Sequence, residues 1–182
     1  TEEEQSKLAS KLNIAAVIKA PDRIEKVCRH IECIKTEHFV YPFDGRVVRV
    51  SQSHVFNLSS MTVDFGQVLD SGVDALHSRL EQCNDDFFRA RQQKVVSIIE
   101  DFAKRVDAKY DTSLIQLLNR KPDNFEEAIQ KILFYNGLFW QMSHTHIGLG
   151  RLDLILEPYY TQDIVKGKLN EDKAKSLLLE FI

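Results

Sequence analysis

The sequence contains little of what marks non-globular or disulfide-stabilised chains. Of its 182 residues only 7 are glycine and 4 are proline, which excludes collagen-like and low-complexity classes and argues against a disordered chain. Its 3 cysteines are too few for a disulfide framework and favour a reducing compartment, so we expect a cytoplasmic protein. With 24 basic and 27 acidic residues, the chain has no basic excess, and nucleic acid is not an expected partner.

Long apolar runs are also missing. The uncharged stretch between Lys131 and Arg151 loses its apolar character after Met142, where serine, histidine and threonine side chains would lie unpaired in hydrocarbon. We therefore expect no membrane span. The sequence has no Gly-x-Ser-x-Gly turn and no glycine-rich phosphate loop, so serine hydrolase and nucleotide-binding functions have no support.

Apolar residues at helical spacing dominate what is present. The spacing predicts one helix from Asp64 through Leu80, and an all-apolar, deeply buried helix that starts at a capping box of Asn124 and Glu127. Further helices are predicted over 2–19, over 24–31, after the Asn-Asp-Asp sequence at 84–86, over 114–118 and after Asn170. The segment 151–160 is short and mixes polar and apolar residues without a clear pattern.

A β-hairpin is predicted where β-branched and aromatic residues flank a turn. The two strands would be 39–41 and 47–50, joined through Pro42–Gly45. The fold class is therefore mainly α, a helical bundle with a small β-hairpin. We expect a single domain or fragment over 1–182, organised as a helical hairpin (1–38), a β element (39–60) and a set of helices (61–182).

The ends of the sequence led to a separate expectation. The chain begins with Thr1 rather than methionine, and it stops at Ile182 inside an amphipathic helix that has no glycine or basic stop signal. We therefore expect a processed or truncated chain. Its last helix would expose apolar side chains unless further polypeptide or a partner covers them.

Three segments, in order along the chain, are similar to one protein family. The longest has a Gly-Arg-x-Asp sequence, a Pro-Tyr-Tyr sequence, and then an aspartate and Gly-x-Leu before a helix. Its family-motif residues are Gly150, Arg151, Asp153, Pro158, Tyr159 and Tyr160. The other two segments are 124–130 (Asn-Phe-Glu-Glu-Ala-Ile-Gln) and 63–69 (Val-Asp-Phe-Gly-Gln-Val-Leu). Together they resemble the N-terminal portion of the pyruvate formate-lyase-like glycyl radical enzymes.

The resemblance implies a fold and a chemistry. Family members have a barrel of ten strands wrapped by helices, and two loops at its centre hold a catalytic cysteine and a C-terminal glycine. An activating enzyme converts that glycine to a radical. A thiyl radical then attacks the substrate, and the outcome is C–C, C–O or C–N cleavage or acyl transfer. This chain would supply outer helices and the start of the first barrel strands.

Both reactive groups of the family are missing from this sequence. The family's Arg-Val-x-Gly-Tyr loop is absent, and Cys28, Cys33 and Cys83 all precede the Gly-Arg-x-Asp segment, whereas the family's catalytic cysteine follows it. We therefore expect no catalytic residue, no metal and no cofactor in this chain, and the glycyl radical belongs to the intact family member. The expected partners are the remainder of the parent chain and the radical-activating enzyme, with a homo-oligomer as a further possibility.

The resemblance also implies substrate-binding residues. Diol-dehydratase-like members have Asn-Gly-His-Ser-x-Ser-x-Gly-Arg, whose His-Ser pair contacts the substrate. Aligned backwards from Gly150–Arg151, that pair falls on Thr145 and His146, and a shift of one places it on His144 and Thr145. All three are candidate substrate-binding residues. Because their order differs, and Ser59–Ser60 stand where many members have Gly-His, we expect a substrate other than glycerol.

Two other functions fit the sequence. A stand-alone helical binding or scaffold protein, derived from the family, would self-associate or bind a partner through Leu177, Leu178 and Phe181. Alternatively, His144 and His146 would share one face of a strand and hold a metal ion together with Asp153 or Glu157. The plainest interpretation of Arg151, Asp153 and Glu157 is a surface ion-pair patch at a helix boundary.

Overall fold

The computed structural model describes residues 21–22, 24–29, 31–42, 61–141 and 147–181. Within these ranges the protein is mainly α-helical, as predicted. The helices are α1 (24–29), α2 (Phe65–Asp70), α3 (Val73–Glu81), α4 (Asp86–Tyr110), α5 (Leu114–Asn119), α6 (Phe125–Gln141), α7 (Leu152–Val165) and α8 (Glu171–Phe181). The strands are β1 (Ile34–Lys35), β2 (Val40–Tyr41), β3 (Met61–Thr62) and β4 (Ile147–Gly148). The helix predicted over 2–19 lies outside the described residues.

Side-chain caps start four helices at the positions that the sequence indicated. Each cap oxygen accepts a hydrogen bond from the backbone N–H three residues later, one of the donors that a helix leaves unpaired. The caps are Asp64 (3.0 Å to Gln67 N), Asp85 (2.9 Å to Phe88 N), Asn124 (2.8 Å to Glu127 N) and Asn170 (2.8 Å to Lys173 N). Local sequence therefore sets where α2, α4, α6 and α8 begin.

The single helix predicted from Asp64 through Leu80 is two helices, so that prediction was wrong. The chain leaves the helical conformation at Ser71 (φ −106°, ψ 135°) and Gly72 (φ −92°, ψ 170°). The end of α5 passes so close that a Cβ on Gly72 would lie 2.0 Å from the carbonyl oxygen of Asn119. A contact between distant segments thus overrides a helical pattern that continues through the break.

The predicted strand 39–41 is present as β2, in a hairpin that the sequence did not predict. β2 pairs antiparallel with β1, with Ile34 opposite Tyr41, whereas the strand predicted over 47–50 lies outside the described residues. The Gln130 side chain of α6 pairs with Val40 as a strand would. Its Oε1 accepts from Val40 N at 2.7 Å, and its Nε2 donates to Val40 O at 2.8 Å. Both edges of β2 are therefore occupied.

The segment 151–160, predicted to be short and mixed, begins the 14-residue helix α7. Pro158 lies inside this helix, where a proline normally interrupts hydrogen bonding because it has no N–H. Leu156 and Tyr159 are buried in the core that α7 shares with α6. This packing holds α7 helical through the proline.

Two apolar clusters meet on α6, which the sequence predicted to be the deepest helix. The first cluster joins α1, α3, α4 and α5 to the C-terminal half of α6, where Phe134 and Leu138 are buried. The second cluster joins α2, α7 and α8 to the N-terminal half of α6, where Ile129 and Ile132 are buried. No helix in the described ranges has the length and apolar character needed to cross a membrane.

Part of the apolar stripe on the last helix, which was predicted to bind a partner, is buried within the protein. Leu177 is fully buried in the second cluster and Phe181 packs against it, so neither belongs to an open apolar face. Leu178 and Leu179 are 36% and 67% exposed. The prediction of an exposed stripe through Leu177 was therefore wrong, because α8 turns that residue toward α6.

The three cysteines should separate into one reactive and two protected thiols. Burial raises the pKa of Cys28 and of Cys33 to about 12, whereas Cys83 is half-buried near the surface turn before α4. Because the thiolate is the nucleophile, an aromatic disulfide reagent at pH 8 should label Cys83 quickly and the other two only in urea. In Cys83→Ser the fast phase should vanish. Equal rates for all three thiols would contradict this core.

Candidate functional site

The candidate site is built around a short parallel strand pair. Met61 lies opposite Ile147 and Thr62 opposite Gly148 in the pairing of β3 with β4. Parallel strands require a long crossover connection, and here the connection contains α2 to α6. Neighbouring parallel strands with helices packed beside them also occur in helix-wrapped barrels.

Two glycines shape the chain as it leaves this strand pair. A Cβ on Gly148 would lie 3.2 Å from Thr62 Oγ1, and a Cβ on Gly150 would lie 3.1 Å from Thr62 Cγ2. Gly150 also has φ +71°, a left-handed conformation that residues with side chains rarely adopt. The first residue of the family's Gly-Arg-x-Asp sequence therefore makes the turn from β4 into α7.

Arg151 and Asp153 form an ion pair at the start of α7. Arg151 Nε lies 2.9 Å from Asp153 Oδ1, and Arg151 Nη2 lies 2.6 Å from Asp153 Oδ2. The hydrogen bond from Arg151 holds the pKa of Asp153 at about 2. Both side chains are exposed, so the pair contributes little to stability. The plain prediction of a surface ion pair at a helix boundary is confirmed for these two residues, whereas Glu157 instead accepts from Thr161 Oγ1 at 3.0 Å.

The Pro-Tyr-Tyr sequence and the aspartate after it attach α7 to the start of α6. The Tyr160 ring meets the Phe125 ring edge to face, with centroids 5.8 Å apart. Buried Asp163 accepts from Phe125 N at 2.8 Å, so it binds one of the unpaired donors at the α6 N-terminus. These motif residues are structural here. Asp163 is part of the motif, but no feature of the sequence indicates which group it binds.

A surface groove of about 910 Å³ lies between α2, the α5–α6 connection and α7, and Pro158 is among its lining residues. Lys121 in this groove pairs with Asp70 at 2.5 Å and lies 5.9 Å from the centre of the Tyr159 ring. Neither histidine nor cysteine is among its lining residues. The groove thus lacks histidine, the most frequent general acid or base, and cysteine, a strong nucleophile.

The three predicted substrate-binding residues, His144, Thr145 and His146, lie outside the described residues, as do Ser59 and Ser60. The elements on either side of the first three are described, since α6 ends at Gln141 and β4 begins at Ile147. Within the described ranges no histidine, cysteine, aspartate and glutamate side chains are grouped so as to hold a metal ion. Asp153, predicted as a possible third metal ligand, is bound by Arg151.

Comparison with known proteins gives a family match over the C-terminal part of the chain. Residues 113–182 match the family model described as pyruvate formate lyase-like. A solved structure from work on 1,2-propanediol dehydration in Roseburia inulinivorans, and on its substrate and enantiomer selectivity, is similar over 65% of this chain, with a TM-score of 0.53 and 19% sequence identity.

That similarity covers 19% of the Roseburia chain, so the present chain spans about a fifth of its length. At this identity the similarity concerns the fold alone. No curated protein matches the sequence. Residues 113–182 match the model of the pyruvate formate lyase-like family, the family that the Gly-Arg-x-Asp and Pro-Tyr-Tyr motifs resemble.

Proposed function

We propose that this chain is the N-terminal portion of a pyruvate formate-lyase-like glycyl radical enzyme and is inactive by itself. The intact enzyme would be a radical lyase acting on a C–C, C–O or C–N bond, or an acyltransferase. The remainder of the parent chain would supply the catalytic cysteine and the glycine that an activating enzyme converts to a radical. His144, Thr145 and His146 would bind the substrate.

The parallel pairing of β3 with β4 is the observation on which this proposal rests most directly. An isolated pair of two-residue strands has little stability of its own. Here the pair is flanked by helices, and residues 113–182 of the chain match the family model. Two paired strands beside a layer of helices is what the first part of a helix-wrapped barrel would contain. A barrel needs further strands, which supports the assignment of this chain to a larger enzyme.

The absent reactive groups support the expectation of inactivity. The sequence has no Arg-Val-x-Gly-Tyr loop, so no residue corresponds to the family's radical glycine. Cys28 and Cys33 are buried and their burial raises the pKa of both thiols, which makes them poor sources of a reactive thiolate. A radical site must also exclude water, and β3 and β4 leave one face open.

Radical formation tests the proposal directly. The intact parent protein, prepared without oxygen and treated with its activating enzyme, should show the electron paramagnetic resonance signal of a glycyl radical. Residues 1–182, shown by circular dichroism to be folded, should show none after the same treatment. A radical on residues 1–182, or a parent reading frame without a later cysteine and glycine loop, would contradict the proposal.

The substrate residues give a second prediction in the intact, activated parent. Replacing His144 or His146 with alanine should lower kcat/KM by roughly tenfold or more, because a hydrogen bond to the substrate is lost. The radical signal should remain, since neither residue is part of the radical loop. Thr161→Val, at an exposed position of α7, serves as the control. An unchanged kcat/KM in both histidine variants would remove these residues from the substrate site.

A further inference from the structure

The β3–β4 pair has one face against the helices and one face open. Thr62 and Gly148, which lie opposite each other in the pair, are both exposed. The next residues, Val63 and Leu149, are half-buried and pack against the second apolar cluster. Side chains of successive residues in an extended chain point to opposite faces. The two faces therefore differ in their surroundings as well as in their direction.

In a barrel wrapped by helices, the helix-facing side of each strand is the exterior and the other side is the interior. Val63 and Leu149 contact the helical cluster, so they belong to the exterior. The alternation then assigns Thr62 and Gly148 to the interior. This step rests on the proposed function, because the barrel itself belongs to the parent enzyme.

Two glycines leave space beside the side chain of Thr62. A Cβ on Gly148 would lie 3.2 Å from Thr62 Oγ1 and a Cβ on Gly150 would lie 3.1 Å from Thr62 Cγ2, so a side chain at either position would press against the threonine and shift it slightly. No described residue hydrogen-bonds to Thr62 Oγ1. Among the described residues the exposed hydroxyl therefore has no partner, and a hydroxyl can donate one hydrogen bond and accept others.

We propose that Thr62 is a substrate-binding residue of the intact enzyme, whose hydroxyl faces the barrel interior and hydrogen-bonds to a hydroxyl or carboxylate group of a small polar substrate. Gly148 has a specificity role of its own, because its missing side chain leaves space beside the Thr62 hydroxyl.

Binding to the intact parent without activation tests this proposal. The probes are 1,2-propanediol, 1,2-butanediol, lactate and glycolate, and the dissociation constant of each is measured by calorimetry. Thr62→Val keeps the shape of the side chain but removes the hydroxyl, and should weaken the binding of the best probe by roughly three- to tenfold. Thr62→Ser keeps the hydroxyl and should bind within about twofold of the wild type.

Two further variants separate binding from folding. Gly148→Ala keeps the Thr62 hydroxyl but shifts its position. This variant should therefore also weaken the binding of the best probe. Thr161→Val removes an exposed threonine hydroxyl from α7 and should have no effect. If Thr62→Val does not fold, Gly148→Ala alone decides the question.

Three results would overturn the proposal. They are binding by Thr62→Val as tight as by the wild type, equal weakening in Thr62→Val and Thr62→Ser, and no measurable binding of any probe to the wild type. The radical signal of the intact parent is independent of these measurements. A parent that forms the radical while Thr62→Val binds normally would retain the proposed function and lose only this residue assignment.

Discussion

Replacing Gly72 with alanine should lower the free energy of unfolding by about 3 kcal/mol or more. The backbone of Gly72 is in an extended conformation that any residue can adopt, so the cost comes from space. The alanine Cβ would lie 2.0 Å from the carbonyl oxygen and 2.5 Å from the carbonyl carbon of Asn119. Both are backbone atoms at the end of α5. They cannot rotate away, so the α2–α3 connection and α5 must separate.

Urea unfolding followed by circular dichroism measures this effect. Gly66→Ala is a matched control, because it adds the same methyl group inside α2, and its contact is a side-chain oxygen, Asp64 Oδ1, at 3.3 Å. Alanine favours a helix interior over glycine by about 1 kcal/mol, so this control should unfold at the wild-type urea concentration or slightly above it. Equal stability of Gly72→Ala and wild type would show that α5 does not approach Gly72 this closely.

Sequence alone predicted the features of this fold that depend on neighbouring residues. The caps at Asp64 and Asn124 hydrogen-bond within three residues along the chain, so composition and spacing were enough to place them. The burial of α6 also followed from its run of apolar residues. The family motifs lie in the same category, because each is a short local pattern.

Features that depend on distant residues could not be predicted from the sequence. The break at Gly72 is caused by a contact with Asn119, and the side chain of Gln130 pairs with the backbone of Val40 in β2. Asp163 binds the N–H of Phe125, 38 residues away in the chain. Local patterns contain no information about which distant group approaches. These three contacts are therefore visible only in the three-dimensional structure.

The candidate site divides in the same way. The motif residues Gly150 and Arg151 were identified from the sequence, and the structure gives them local roles at a turn and a helix start. Thr62 was missed. Its assignment depends on the register with Gly148 and on which strand face contacts the helices. Nothing in the residues around position 62 indicates a pairing with a strand that begins at Ile147.

A fully buried lysine joins three helices at the same place where Gly72 meets α5. Lys131 of α6 has no exposed surface, and its Nζ donates to Ser71 O at 3.0 Å and to Arg120 O at 2.7 Å. Ser71 and Arg120 are the C-terminal caps of α2 and α5, where carbonyl oxygens lack partners and the helix dipole is negative. A neutral amine has two N–H donors, so it can satisfy both carbonyls without a charge.

This geometry determines the sign of a pH effect. Burial lowers the pKa of Lys131 from the ordinary value of 10.5 to about 8, because the ammonium ion loses its hydration. Between these two pH values the unfolded chain holds a proton that the folded chain has released, so this group makes the free energy of unfolding rise with pH. The total rise corresponds to about 3 kcal/mol. Below pH 8 the folded protein retains the full cost of the buried charge.

Comparison of wild type with Lys131→Met, from pH 7 to pH 10.5, isolates this effect. Cys28, Cys33 and Tyr135 have raised pKa values of about 12 and lower the stability of both proteins as pH rises, so their contributions cancel in the difference. We expect the stability of the wild type relative to Lys131→Met to increase by about 3 kcal/mol over this range, measured by urea unfolding with a reductant present. Lys175→Met, at an exposed position of α8, is the control for the replacement of a lysine by methionine. The opposite result would be a difference in the free energy of unfolding between wild type and Lys131→Met that stays constant with pH. It would mean that Lys131 remains charged or reaches water. The contact of Lys131 with the ends of α2 and α5 would then need another explanation.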